Sequence, residues 1–438
     1  MAVPGIFQSL QAQIATIQPA RAVGRVAESA RGTFLVYGLA VAALGDRVVA
    51  ETGAGPLGGE VVRISARGAT VLPEEDPEGL VIGSRVELVG PLTLAPDMGW
   101  LGRIVDPLGR PLDGRPLLPG TRQLSMNAAP PAPALRRPLG GRLSTGVAVF
   151  DTLLPLVRGQ RIGLFAGSGV GKSSLLARFA RGVAADVAVI GLVGERGREL
   201  RDFTQRVLGP AGMARSVVVT ATSDQSSLMR RRCALSAMTV AEHFRDQGLH
   251  VLLLLDSVTR FAEAHREMAL ASGEVASLRG YPPSVSHAIM SLAERAGPGA
   301  GTAGDITAVF SVLVAGSDME EPVADILRGT LDGHVVLDRK IAERGRYPAI
   351  DLLRSVSRSL PEAASAAENA LIADARRVLS AYDRAEMMVQ AGLYVPGSDP
   401  AVDRALRLFP ALDGFLAEDA PAGGPESSFA RLRACLGP

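Results

Sequence analysis

A lysine set among glycines and serines is the first place in this chain where residue types and spacing specify chemistry. The stretch reads Ala166, Gly167, Ser168, Gly169, Val170, Gly171, Lys172, Ser173, with Ser174 next. This is the phosphate-cradling spacing G-x-x-x-x-G-K-[ST], with alanine at the first glycine position. Glycines at 167, 169 and 171 let the backbone turn several N–H groups toward one anion. A helix starting at Lys172 would add the partial positive charge of its N-terminus. Lys172 can reach the outer phosphates of a nucleotide, and Ser173 offers a hydroxyl to Mg²⁺. Gly167, Ser168, Gly169, Val170, Gly171, Lys172, Ser173 and Ser174 are therefore the expected ATP-binding stretch.

Such a loop needs a carboxylate for its metal. His250 to Asp256 is an apolar run ending in aspartate. A central strand buried on both faces requires the apolar run, and its carboxyl end opens into the ligand crevice. Asp256 is thus expected to join Ser173 in holding Mg²⁺. Hydrolysis further needs a carboxylate that polarises water and a cation that meets developing phosphoryl charge. Glu195 lies at the carboxyl end of the next apolar run, Val187 to Val193, with Arg196 beside it. Glu195 is the expected carboxylate, Arg196 a cation near it, and Glu199 the alternative to Glu195. Tyr347 precedes Pro348, and its ring could stack on adenine.

The elements that must position these residues alternate. Ile162 to Phe165 predicts a strand entering the loop, and Lys172 to Ala184 a helix leaving it. Ser216–Thr220 and Ile306–Val314 predict further strands, and Ser226–Gln247 a long helix carrying Arg230, Arg231 and Arg232. That basic run reads as a solvated helix face. The alternation predicts a mostly parallel α/β sheet from about 144 to 360. Before it, short runs at Thr33–Val41, Arg47–Ala50, Glu60–Ile64, Thr70–Leu72 and Arg85–Val89 predict a small β-barrel between about 23 and 92. Residues 93 to 143, rich in Pro and Gly, read as an extended connection. Beyond Pro361 the chain reads as helical, with a Pro/Gly interruption at Glu418–Ser428 before a final short helix. Ile6, Leu10, Ile14 and Ile17 give residues 1 to about 20 an apolar helical face. It would either pack on its own domain or dock a partner protein. The expected fold is multidomain: an N-terminal helix at 1–22, a β-barrel at 23–92, a RecA-like ATPase core at 93–361 and a helical domain at 362–438.

The chain has 438 residues with 46 basic and 45 acidic side chains, a net charge of +1. A dedicated nucleic-acid binder would show a basic excess, so no nucleic-acid partner is expected. Two cysteines point to no disulfide framework and to a reducing cytosol. The N-terminus lacks the pattern of a secretory signal. No apolar run approaches a membrane span, so any membrane contact is expected to be peripheral. The five histidines show no paired metal spacing.

The segments GLFAGSGVGKSS, VGERGREL, ATSDQSSLMR, VLLLLDSVTRFA, GYPPSV, DGHVVLDR, RYPAID and SVSR together resemble the ATPases of type III export. Those in turn resemble the catalytic subunits of rotary ATP synthases. The resemblance runs from about residue 25 to 415 and favours the flagellar over the injectisome branch. It implies a cytoplasmic homohexamer at the inner-membrane export apparatus, with ATP and Mg²⁺ as cofactors. Its implied partners are a stator or regulator on the N-terminal helix, the export gate and chaperone–substrate complexes. It implies Lys172 and Ser173 at the phosphates, Asp256 at Mg²⁺, Glu195 as catalytic carboxylate, Tyr347 near adenine, and Arg358 as an arginine finger given to a neighbour. One chain carries both the carboxylate and the finger, so a ring of identical subunits would suffice. Two other classes share the core: a hexameric nucleic-acid translocase of the transcription-termination type, and a non-catalytic nucleotide-binding ring subunit. Neutral charge and an aromatic-poor barrel count against the first. The intact Lys172, Glu195 and Asp256 set counts against the second.

Overall fold

Alternation of apolar and polar residues closes the first sheet on itself. In the computed structural model, which describes residues 6–16, 20–30, 32–314 and 319–437, six antiparallel strands form a closed barrel. They are β1 (Val23–Ala30), β2 (Thr33–Tyr37), β3 (Asp46–Thr52), β4 (Gly55–Ser65), β5 (Gly68–Pro73) and β6 (Arg85–Pro91), ordered β1-β2-β5-β4-β3-β6. Inward residues such as Val26, Phe34, Val36, Val48, Val71 and Val86 fill it. Closure removes the open sheet edges that would otherwise template aggregation.

The second sheet is built from runs that are apolar throughout. Its strands are β7 (Arg103–Val105), β8 (Arg161–Ala166), β9 (Val187–Glu195), β10 (Ser216–Thr222), β11 (His250–Asp256), β12 (Asp305–Leu313), β13 (Gly333–Leu337) and β14 (Ile350–Ser357). The order is β14-β13-β8-β12-β11-β9-β10-β7, and the two-residue strand Gly297–Pro298 pairs with β12. From β13 to β7 every neighbour is parallel; β14 is antiparallel to β13. All seven residues of β11 are buried, as a strand covered by helices on both faces requires.

Helices α2 (Lys172–Gly182), α3 (Ser227–Asp246), α4 (Val258–Ala271), α5 (Pro283–Arg295) and α6 (Pro322–Thr330) belong to this core. Helices α7 (Ala366–Gln390), α8 (Pro400–Phe415) and α9 (Gly424–Leu436) follow it. A capping box of Ser365 and Glu368 starts α7, satisfying two orphan backbone donors. Phe415, Phe429 and Leu432 share one buried cluster with Phe150 and Phe179 of the nucleotide domain. Arg142 bonds Glu368 at 3.0 Å, so the C-terminal helices are anchored to the core by packing and charge together.

Four expectations change here. The connection 93–143 is not merely extended: Arg103–Val105 pairs with β10 as the sheet's edge strand. Strand β1 supplies a barrel stave ahead of the first expected run. The basic run of α3 is no solvated face. Arg232 is fully buried, its guanidinium bonded to Glu60 at 3.0 Å and Glu74 at 2.6 Å, both from the barrel. The final helix also starts within the expected interruption, at Gly424. Helix α1 (Ile6–Thr16) leaves Phe7, Leu10 and Ile14 exposed; Ile17 lies outside the described residues. Among the described residues no helix is long and apolar enough to cross a membrane.

Candidate active site

The loop from Gly167 to Gly171 joins β8 to α2 at the carboxyl edge of the parallel sheet. Gly169 and Gly171 have φ of +78° and +86°, a region that side chains with a Cβ seldom occupy. Gly171 is the N-cap of α2, so the helix N-terminus opens into the loop's concavity. A Cβ on Gly171 would also lie 2.9 Å from the Tyr347 ring. The half-exposed Tyr347 ring therefore rests against the loop's last turn, beside the phosphate cradle.

Three charged groups converge behind the loop. The Lys172 ammonium is ion-paired with Asp256 and stands 3.9 Å from Glu195. Asp256 also accepts from Ser311 Oγ at 2.6 Å. Parallel pairing puts Glu195 and Asp256 at the same sheet edge: β9 and β11 run side by side, with Leu192 opposite Asp256. Burial, then the Asp256 charge and a Glu199 contact, push Glu195 up to about 7 against the opposing pull of Lys172. A carboxyl poised near neutrality is suited to general-base work.

Lys172 and Glu195 border a cleft of about 1060 Å³ lined by residues 166–169 and 171–174, Glu195, Arg196 and Glu199. The Arg196 side chain is 81% exposed and pairs with Glu199 at 3.3 Å. Ser173 and Asp256 offer the oxygen donors that Mg²⁺ prefers, so the donor set fits that ion. Among the described residues no group of three or more His, Cys, Asp or Glu forms a metal cluster.

Arg358 is not brought into this cleft. Ala166 pairs with Leu337, and Leu337 with Ile350, at the loop end of the sheet. At the other end Gly333 pairs with Ser357. Strand β14 therefore runs away from the loop and bulges on the way, so the rise of β13 from Leu337 to Gly333 sets the spacing: Arg358 lies at least about 13 Å from the loop at ~3.3 Å per residue. Arg358 is exposed there, and its guanidinium donates to the Arg328 carbonyl at 3.1 Å.

The cleft also holds residues the sequence reading passed over: Arg230, Arg260, Glu263, Arg279 and Tyr281. Arg260 stands four positions after Asp256 in the first turn of α4 and bonds Glu263 at 2.8 Å. That offset was the available signal. Ser311 had none, because its contact with Asp256 depends on β12 lying beside β11.

Residues 146–357 match the family model of the ATP synthase alpha/beta family, nucleotide-binding domain. Residues 364–431 match the T3SS EscN ATPase C-terminal domain. The flagellum-specific ATP synthase of Caulobacter vibrioides is 44% identical over 423 residues, covering 94% of this chain and 95% of that protein. The chain belongs to the flagellar and type III secretion ATPase family. The Type 3 secretion system ATPase of Xanthomonas euvesicatoria is 41% identical, over 95% of this chain and 94% of its own. The structure of the assembled ATPase EscN from enteropathogenic E. coli superposes with a TM-score of 0.87 at 35% identity, covering 94% of this chain and all of that one. EscN in complex with its central stalk EscO gives a TM-score of 0.85 over the same shares. As a member of this family the chain is an ATP-binding ATPase.

Proposed function

We propose that this chain hydrolyses Mg·ATP in the cleft at Lys172 to energise type III export of flagellar components. The observation that carries the reading is the convergence of Lys172, Glu195 and Asp256 at one sheet edge beneath a phosphate loop. The loop N–H groups and Lys172 bind the phosphates, and Tyr347 abuts adenine. Ser173 and Asp256 would hold Mg²⁺, which supplies charge neutralisation at the phosphates. Glu195 accepts a proton from the attacking water at its carboxylate, with Arg196 and Arg260 as cations at the cleft mouth. Arg358 completes the cleft of the neighbouring subunit.

The assembly we propose is a cytoplasmic homohexamer, in peripheral contact with the membrane at the export apparatus. The exposed apolar residues of α1 would dock a stator or regulator, and the export gate and chaperone–substrate complexes would be its other partners. The test is complementation of a flagellated strain lacking its own export ATPase. Wild-type chain should restore secretion of filament protein. Glu195→Gln should bind ATP, turn over about 10²–10⁴-fold more slowly and fail to restore secretion. Normal turnover by Glu195→Gln beside an inactive Glu199→Gln would move the role to Glu199.

A further inference from the structure

An ion pair followed by a chain of side-chain hydrogen bonds with a fixed direction leads from the barrel to the wall of the nucleotide cleft. It begins at Glu60 of β4, whose carboxylate is 3.6 Å from Arg231 Nη1. Arg231 Nε donates to His265 Nδ1 at 3.1 Å. A guanidinium only donates, so Nδ1 is the unprotonated nitrogen and the imidazole proton sits on Nε2. Nε2 then donates to Ser284 Oγ at 3.1 Å. Ser284 Oγ donates in turn to Glu274 Oε2 at 2.6 Å, and the Ser284 backbone N–H donates to Glu274 Oε1 at 3.0 Å. Ser284 is in the first turn of α5, so Glu274 satisfies an otherwise orphan helix donor and sits where a negative charge is favoured.

Glu274 and Ser284 are the two ends of one loop. Within it, Ser277 Oγ donates to the Tyr281 carbonyl at 2.7 Å, and the Tyr281 ring lies under the Arg266 guanidinium at 5.4 Å. Arg279 reaches across to the Glu320 carbonyl. Arg279 and Tyr281 both line the cleft that holds Lys172 and Glu195. Burial, then the Arg231 charge and the nearby His287, against Glu274, push the His265 imidazole down to about 4. It is therefore neutral in ordinary buffers, as the relay requires.

We propose that His265 is a positioning residue for ATP turnover, clamping the 274–284 loop so that Arg279 and Tyr281 stand against the nucleotide. This rests on the Lys172 cleft being the site of hydrolysis. His265 touches no reacting group; it acts through Ser284 and Glu274. Glutamine can replace it in kind, because its Oε1 accepts from Arg231 and its Nε2 donates to Ser284. Alanine can do neither.

The experiment compares His265→Ala, His265→Gln and Ser284→Ala in the full-length chain. Steady-state ATP turnover is normalised to the number of sites that bind a fluorescent ATP analogue, so unfolded protein does not count. Trypsin cleavage after Arg279, followed by mass spectrometry, reports loop order. His265→Ala and Ser284→Ala should lower kcat per site about ten- to a hundredfold, the scale of small misplacements. Both should speed cleavage after Arg279 severalfold. His265→Gln should stay within about threefold of wild type in both readouts, less than a factor-of-ten change in barrier. Wild-type kcat and unchanged cleavage in His265→Ala would overturn the proposal. So would a His265→Gln chain that binds nucleotide yet is as slow as His265→Ala. Should His265→Ala fail to fold, Ser284→Ala cuts the same relay from its other end and decides alone. Lys172→Ala runs alongside: if it still hydrolyses ATP, the assignment of the cleft has failed, not the relay.

Discussion

Replacing Arg358 with alanine separates two accounts of catalysis by orders of magnitude. Within its own subunit Arg358 stands at least about 13 Å from the phosphate loop, the rise of β13 from Leu337 to Gly333 at ~3.3 Å per residue. A unit charge at that distance contributes about 0.3 kcal/mol in water before screening. The Debye length of about 8 Å at physiological ionic strength removes most of that. A purely intrasubunit role therefore predicts less than about a twofold change in rate. A finger inserted into a neighbour's cleft is worth about 10³–10⁵ in kcat, or roughly 4–7 kcal/mol. We expect Arg358→Ala to bind ATP normally and to be nearly inactive, with the loss in kcat. Wild-type specific activity should rise with protein concentration as subunits assemble. The decisive assay mixes Arg358→Ala with Glu195→Gln, each inactive alone. Where an intact Glu195 meets a neighbour's intact Arg358, a complete cleft forms and turnover returns. Near wild-type turnover by Arg358→Ala alone would refute the reasoning, because a guanidinium hydrogen-bonded to the Arg328 carbonyl would then be a surface residue.

The other perturbations test the frame around the site. Arg232→Ala should leave the buried carboxylates Glu60 and Glu74 without the guanidinium that joins them, each keeping one partner, Arg231 and Arg47, and destabilise the chain by up to about 3–5 kcal/mol; a thermal melt within 1 °C of wild type would contradict this. Burial opposes the Glu74 charge, but the Arg47 and Arg232 guanidiniums hold its carboxyl below the ordinary range, so the ionised form is the one lost. His265 tests the relay through pH. Its folded pKa of about 4 lies below the ordinary 6.5. Its neutral form is favoured by folding, so no stability is lost above 6.5, and stability falls as pH drops from 6.5 toward 4. The slope is at most about 1.4 kcal/mol per pH unit. Urea unfolding should show His265→Gln losing up to about 2 kcal/mol less than wild type between pH 6.5 and 5. The His243, His250 and His334 imidazoles, also lowered by burial, contribute equally to both chains. Equal slopes would mean His265 takes up its proton as readily folded as unfolded.

What the sequence discloses is what local chemistry decides. The phosphate loop is legible because Gly169 and Gly171 must adopt positive φ and Lys172 must follow them. Asp256 is legible because a seven-residue buried strand has few other reasons to end in a carboxylate. Strand β1, VGRVAESA, escaped because only two of its eight positions are buried and a bulge breaks its pairing with β2. The edge strand at Arg103–Val105 has three residues, too few for a period to show. The buried role of Arg232 was hidden by its neighbours. Consecutive positions on a helix point about 100° apart, so three arginines in a row cannot share one environment. Arg230 pairs with Glu267, Arg231 reaches His265 and Arg232 enters the barrel interface. Which arginine does which depends on Glu60 and Glu74, more than 150 positions away in the chain. Arg358 was expected as a finger from the family motif alone; its distance from its own loop follows from strand order, which no local pattern contains.

The central claim, that ATP is hydrolysed in the cleft at Lys172, is tested most directly by steady-state turnover of Lys172→Ala beside wild type. Circular dichroism of both chains establishes equal folding. With the Lys172 ammonium removed, turnover should fall to background while the far-UV spectrum is unchanged. A folded Lys172→Ala chain that hydrolyses ATP near the wild-type rate would contradict the account.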